Sequence, residues 1–228
     1  MSDLESSLEA AQQAPMASPA PVPVRKRPRP GERRVQILQA LATMLEHPGA
    51  ERITTAALAA RLNVSEAALY RHFASKAQMF EGLIDFIEQT VFSLVNQIVE
   101  RESASNPAEL APDAQSGARQ AAKIVVMLVQ FAEKNPGMTR VMVGDALVFE
   151  NERLQQRMNQ FFDKIEAALK QSLRSIADAS GSATPSVDTQ VRASVLSAFV
   201  AGRLQRFARS GFKRLPSEHL ESSLALML

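Results

Sequence analysis

The amino-acid sequence predicts an all-α protein in which a small helix-turn-helix head precedes a larger helical body. Apolar residues recur at three- and four-residue spacing over most of the chain, which is the period of an amphipathic helix. The sequence has no stretch with the two-residue alternation of a β-strand and no internal repeat. Apolar residues make up 46% of the 228 residues, which is enough to form a core in both parts.

Charge is distributed unevenly along the chain, although the net charge is only +2. Residues 25–80 carry ten Lys and Arg against four acids, residues 1–24 carry three acids and no base, and residues 81–228 are nearly balanced. A basic excess that is confined to one short segment is typical of a module that contacts DNA.

Several classes of protein are excluded by the composition. The absence of cysteine excludes disulfides and thiolate chemistry, and the longest apolar run, Ile124 to Val129, is far shorter than the roughly 20 residues of a membrane-spanning helix. The acidic N-terminus is unlike a targeting peptide, and the three histidines are too widely spaced to form a metal site. We therefore expect a cytoplasmic protein that is not an enzyme and that uses no metal, cofactor, membrane or small-molecule ligand.

Two segments are predicted to lack regular structure. Residues 1–30 hold half of the twelve prolines and few large apolar side chains, so they are interpreted as a disordered tail. The tail ends in a basic run, Arg25 to Arg29, which Arg33 and Arg34 follow; this run is either a solvated linker or an arm that tracks phosphates. Residues 103–118 are polar and contain two prolines and a glycine, which predicts a flexible connection.

The head is predicted over residues 31–76 and the body over residues 77–228. The first helix begins near Glu32, carries an apolar stripe from Ile37 to Leu45 and ends at Pro48-Gly49. The next three helices run from about Thr55 to Leu62, from Ser65 to about Phe73, and from Ser75 to about Glu102, with a tight turn at Asn63-Val64.

The body is predicted to be built around a fifth helix, Ala121 to Lys134. This helix is apolar almost all round, so we expect it to be buried in the centre. The remaining elements are a short helix to about Gly144, a long helix from about Phe149 to Ala179, a loop from Gly181 to Asp188, a helix from Val187 to about Ser210, and a short helix after Pro216.

The segment from Thr55 to Phe73 has the layout of a helix-turn-helix, with small Ala59 at the place where the two helices cross. The third helix leaves five side chains facing outward, namely those of Glu66, Ala67, Tyr70, Arg71 and His72. A phenol, an imidazole and a guanidinium group on that surface can reach phosphates and base edges.

The residues Ile53-Thr54-Thr55, Val64 to Phe73, Ser75-Lys76 and Phe80 resemble the signature of TetR-family regulators. The resemblance covers roughly residues 33–83 and implies a TetR-type dimer in which Thr54, Tyr70, His72 and Lys76 contact the DNA backbone. The complete predicted DNA-binding set is Thr54, Thr55, Ser65, Glu66, Ala67, Tyr70, Arg71, His72 and Lys76.

The body resembles the nucleoid-occlusion branch of the same family. This resemblance is carried by Glu133 to Arg140, Ala146 to Gln160 and Arg209 to Lys213, and it extends over about residues 33–215. It implies binding to palindromic chromosomal sites, antagonism of the division GTPase FtsZ, and an FtsZ groove between the fourth and fifth helices. The predicted groove residues are Phe86, Met127, Gln130 and Lys134.

Phe86 also stands out from the residue pattern alone. It lies off the apolar stripe of the fourth helix on a polar face, which predicts a partner site there, unless the ring tucks under the head. Lys134 has a similar alternative, because a lysine also stabilises the C-terminus of a helix. Leu94 stands where the resemblance leads us to expect a basic residue.

A homodimer is predicted through the last two long helices. Val191, Val195 and Phe199 form an apolar seam, and small Ala198 and Gly202 permit close approach. Two alternatives remain open at this stage. One is a ligand-responsive repressor of the same fold, with a pocket lined by the fifth helix. The other is a division adaptor for which DNA is incidental.

Overall fold

The computed structural model describes residues 31–47, 53–105, 114–179, 181 and 183–228, and every regular element among them is helical. The elements are α1 (Glu32–Leu45), α2 (Thr55–Arg61), α3 (Glu66–Tyr70), α4 (Lys76–Ser105), α5 (Ala114–Lys134), α6 (Pro136–Met142), a 3-10 turn (Asp145–Leu147), α7 (Glu152–Ser172), α8 (Arg174–Ala179), α9 (Pro185–Arg209) and α10 (Leu220–Met227). The predicted all-α class is therefore confirmed. Among the described residues, no helix is long and apolar enough to cross a membrane.

The head contains α1, α2 and α3, and side-chain caps define where its short helices begin. The Thr54 hydroxyl accepts the backbone N–H of Ala57 at 3.1 Å, and the Ser65 hydroxyl accepts that of Ala68 at 3.3 Å. Between the two helices, Asn63 adopts a left-handed conformation with φ 52°, which asparagine tolerates better than most residues. The helix-turn-helix predicted for this segment is present.

The body is built around α5, as predicted. Its residues Ile124, Val125, Leu128 and Val129 are completely buried. The helices α4, α6, α7, α8 and α9 all pack against it. One hydrophobic core extends from the head helix α1 through the body to α10.

The prediction of a flexible connection over residues 103–118 is wrong at both ends. The helix α4 continues to Ser105 and α5 begins at Ala114, while residues 106–113 lie outside the described part of the chain. Gly117, which is predicted to lie in this connection, is a buried helical residue. A Cβ atom there would lie 2.5 Å from the carbonyl oxygen of Ser172, so the glycine permits close packing of α5 against the end of α7.

Four other features of the helix boundaries differ from the prediction. The long helix is divided at Leu173, and it begins after Asn151, whose side chain accepts the N–H of Arg153. The loop after Gly181 is shorter than expected because Pro185 occupies the first turn of α9, where a missing N–H costs nothing. The third helix ends at Tyr70, before Phe73. The predicted tail 1–30, its basic run and Pro48-Gly49 lie outside the described residues.

Head and body are joined closely at α6. A Cβ atom on Gly137 would lie 1.9 Å from the carbonyl oxygen of Ala42 in α1, so only glycine permits this contact. The first turn of α4 also follows directly from the head. The orientation of the head is therefore tied to the body through α4 and α6.

Candidate nucleic-acid interface

The head presents most of its predicted DNA-binding residues to solvent. Seven of them are exposed, namely Thr54, Ser65, Glu66, Ala67, Tyr70, Arg71 and His72. Thr55 and Lys76 are half-buried. The nine residues come from the start of α2, from α3 and the residues that flank it, and from the start of α4. Three helices therefore contribute to the predicted DNA-binding surface.

Hydrogen bonds connect several of these side chains to each other. The Thr55 hydroxyl donates to the Glu66 carboxylate at 2.5 Å, and the Tyr70 hydroxyl donates to Thr55 at 3.5 Å. These bonds link the start of α2 to both ends of α3. Sequence reasoning placed Glu66 only as an outward-facing residue, because the relative placement of two helices is not visible in residue spacing.

Arg34, in the first turn of α1, contacts the residues that follow α3. Its guanidinium group donates to the carbonyl oxygen of His72 at 2.9 Å and lies 4.1 Å from the centroid of the Phe73 ring. A cation over an aromatic face is attractive. Arg34 therefore stabilises the segment just after α3, where Arg71 and His72 are exposed.

Lys76 opens α4 and forms an ion pair with the body. Its ammonium nitrogen lies 2.5 Å from the Glu150 carboxylate, and the Glu150 side chain is only 9% exposed. From the sequence alone, Glu150 is predicted to lie on a solvated helix face, as are Glu152 and Asp163, and for Glu150 this prediction is wrong. The pairing was missed because the two residues lie far apart in the chain and no periodic pattern links them.

A row of ion pairs that begins with Lys76 joins α4 to α7 and to the turn before α7. We call it the charged flank, and its pairs are Lys76–Glu150, Glu81–Arg153 at 3.3 Å, Asp85–Arg157 at 2.9 Å, Glu88–Arg157 at 2.8 Å and Glu88–Lys164 at 3.4 Å. Burial alone would lower the pKa of the Arg157 guanidinium, but hydrogen bonds and charge from Asp85 and Glu88 together raise that pKa above its usual value. Arg157 is thus held as a cation between two carboxylates.

The opposite side of α4 borders α5 and contains the predicted groove residues. Phe86 is 39% exposed, Met127 is half-buried, and Gln130 and Lys134 are exposed. We call these four residues the open groove. Glu102, near the end of α4, pairs with Lys123 of α5, whereas Gly137, just after the end of α5, packs on the head helix α1, which precedes α4. The two contacts together make α4 and α5 antiparallel, so Phe86 and Lys134 lie toward the same end of the helix pair.

The predicted dimer seam lies on the surface of α9. Val191 and Val195 are more than half exposed, and Val187 extends the same stripe by one turn. A Cβ atom on Gly202 would meet no other atom within 4 Å, and Ala198 is exposed as well. Phe199 is half-buried, and the guanidinium group of Arg203 lies over its ring, 4.6 Å from the ring centroid.

These features define a class of protein, a DNA-binding regulator of the TetR type. Residues 37–83 match the family described as "Bacterial regulatory proteins, tetR family", and residues 118–228 match "Tetracyclin repressor-like, C-terminal domain" of the SlmA-like type. Among solved structures, the chain is similar to the fatty acid degradation regulator FadR from Bacillus halodurans, with a TM-score of 0.67, 15% identity, and 89% and 96% of the two chains covered. It is also similar to the TetR family regulator PfmR from Thermus thermophilus, with a TM-score of 0.64, 18% identity, and 85% and 97% covered.

Closer relatives identify the particular family. The chain is 49% identical over 201 residues to the nucleoid occlusion factor SlmA of Aliivibrio fischeri, covering 88% of this chain and 96% of that one. It is 48% identical over 197 residues to the same factor of Vibrio cholerae, covering 86% and 93%. The chain therefore belongs to the SlmA family of nucleoid occlusion factors, a family of DNA-binding regulators and not of enzymes.

Proposed function

We propose that this protein binds palindromic chromosomal sites as a two-fold homodimer and, while bound, antagonises FtsZ assembly, so that septa do not form over the nucleoid. The observation that carries the proposal is the identity of nearly one half to SlmA over almost the whole chain. The exposed polar surface of the head and the open groove supply the two surfaces that such a function requires. The protein then acts in the cytoplasm, associated with the nucleoid.

In this proposal the head contributes both positioning and base contacts. Thr54, Tyr70, His72 and Lys76 bind phosphates and set the register, while Arg71 and the other outward residues of α3 approach base edges. Because Ala67 is small and exposed, it permits close approach of α3 to the major groove of DNA. Because phosphate contacts release counterions, DNA affinity is expected to fall steeply with salt.

A dimer follows from the operator geometry, since two heads must reach major grooves about 34–36 Å apart. The exposed valines of α9 are the surface that we assign to the two-fold contact. Val195→Asp would bury an unpaired charge there and is expected to give monomers with little specific DNA binding. Sedimentation measures this directly, and a Val195→Asp protein that remains dimeric would move the interface elsewhere.

The open groove is the surface that we assign to FtsZ. Phe86 offers an aromatic anchor, and Lys134 offers a positive charge at the same end of the groove. Aromatic anchors with a charged rim are the usual energetic centre of a protein interface. The half-buried Leu94 brings no charge to this groove, so the electrostatic contribution there depends on Lys134.

Genome-wide mapping of binding sites tests the function. We expect many dispersed palindromes and few sites near the chromosome terminus, together with binding of purified FtsZ. Occupancy of only one or two promoters would instead indicate a local repressor. The fully buried residues of α5 fill the core, so no observation on that helix favours the ligand-responsive alternative.

A further inference from the structure

The ion pair between Lys76 and Glu150 joins the head to a turn of the body. Lys76 is the first residue of α4, and Glu150 lies between the 3-10 turn and α7. The Lys76 side chain is 32% exposed, whereas that of Glu150 is 9% exposed. The carboxylate is therefore the more fixed of the two partners, and the lysine is the one that can move.

A carboxylate in this position needs a cation, because burying an unpaired charge is costly. In the free protein that cation is Lys76, which is also the residue that we assign to phosphate. An ammonium group that already contacts a carboxylate is neutralised before DNA arrives. A phosphate must then either displace Glu150 or approach a site that carries a second negative charge.

We infer that Glu150 is an internal competitor for Lys76, and that it weakens the binding of the head to the DNA backbone. The inference rests on the proposed DNA-binding function of the head. The ion pair occupies the lysine that we assign to phosphate and not a residue that we assign to base edges, so it lowers affinity for specific and non-specific duplexes alike. It is an affinity-setting residue in the body of the protein.

The same competition changes the salt dependence of DNA binding. Each protein cation that neutralises a phosphate contributes about 0.9 to the slope of log affinity against log salt. Lys76 contributes less than this amount when its charge is already paired within the protein. Removing the Glu150 charge should therefore restore the missing part of the slope.

Glu150→Gln tests the inference, because glutamine keeps the shape of the side chain and removes its charge. Glu81→Gln is the matched control. Glu81 lies on the same charged flank and pairs with Arg153, and its substitution changes the net charge by the same amount while leaving Lys76 in place. Each variant is measured with the intact dimer on one palindromic duplex and one unrelated duplex, over a series of salt concentrations.

We expect Glu150→Gln to bind both duplexes about three- to tenfold more tightly than the wild type at low salt, with a steeper slope. Glu81→Gln should change DNA affinity much less. In a Lys76→Ala background, adding Glu150→Gln should give no gain in affinity over Lys76→Ala alone. Affinity that is unchanged or weakened in Glu150→Gln would overturn the inference and make Glu150 a residue that orients Lys76. A gain that survives in Lys76→Ala would also overturn it. Wild-type protein that binds neither duplex would instead overturn the proposed function itself.

Discussion

The two sides of α4 differ in how their polar and aromatic residues are used. On the charged flank, Glu81, Asp85 and Glu88 each have a basic partner on α7. On the side of the open groove, Phe86 leaves 39% of its surface in solvent. The charges on the first side are explained by the fold, whereas the aromatic ring on the second side is not. This difference is what directs attention to the groove as a partner site.

The contrast also extends to the aromatic residues of the same helix. Phe92, on the charged flank, is half-buried and makes an edge-to-face contact with Phe161, with ring centroids 5.7 Å apart. Edge-to-face pairs stabilise a core beyond the area that they bury. Phe92 and Phe86 therefore provide a matched pair of probes, one for folding and one for binding.

The largest expected effect is the loss of FtsZ binding in Phe86→Ala. A buried aromatic anchor at an interface is commonly worth about 2 kcal/mol, which corresponds to roughly thirtyfold in affinity. Because Phe86 is partly exposed in the free protein, its removal should lower the free energy of unfolding by only about 1–2 kcal/mol, in proportion to the part of the ring that is buried. Operator affinity should not change. The measurements are FtsZ affinity, DNA affinity and the unfolding free energy of one preparation.

Phe92→Ala is the control for this experiment. It should lower the unfolding free energy by about 2–4 kcal/mol, because it removes a packed ring, and the protein that remains folded should still bind FtsZ. If Phe86→Ala is the more destabilising of the two, Phe86 belongs to the core and the comparison between the two sides fails. A stable Phe86→Ala protein with normal FtsZ binding would place the anchor elsewhere.

An intermediate effect is expected from breaking the charged flank at Arg157. Arg157→Met leaves the carboxylate of Glu88, which is 15% exposed, without its closest cation. We expect the unfolding free energy to fall by about 1–2 kcal/mol, between the values for exposed and buried ion pairs. Denaturant titration measures the change. Arg153→Met is the control, because Arg153 is 71% exposed and its pair should contribute about 0.5 kcal/mol or less.

Features that depend on local sequence were predicted well. The helix starts near Thr55 and at Ser65, the tight turn at Asn63 and the central position of α5 all follow from residue type and spacing within a few turns. The apolar stripe of α4 was also predicted, and its residues from Phe80 to Val95 are buried. Local rules therefore gave the class of fold and the position of the head.

Features that depend on distant contacts could not be predicted in this way. Gly117 looked like part of a loop because a glycine that permits close helix packing has the same local signature as a glycine in a turn. Glu150 looked solvated because its partner, Lys76, lies in the head. The bond between Thr55 and Glu66 was missed for the same reason. In each of these cases the deciding contact crosses between two helices.

The smallest expected effect is the loss of the charge on Lys134, at the end of the open groove. Lys134→Ala should weaken FtsZ binding about two- to fivefold at low salt, because a rim charge contributes modestly and through long-range attraction. The difference should disappear at high salt, where the Debye length falls to about 3 Å. Binding titrations at two salt concentrations measure it.

Lys164→Ala is the charge-matched control for Lys134→Ala, since Lys164 lies on the charged flank and pairs with Glu88 at 3.4 Å. It should leave FtsZ binding unchanged, because its charge faces the other side of α4. Equal weakening by both variants would show a general effect of net charge and would remove Lys134 from the groove. If Lys134 only stabilises the end of α5, its substitution should lower the unfolding free energy by about 0.3–1 kcal/mol and leave FtsZ affinity as it was.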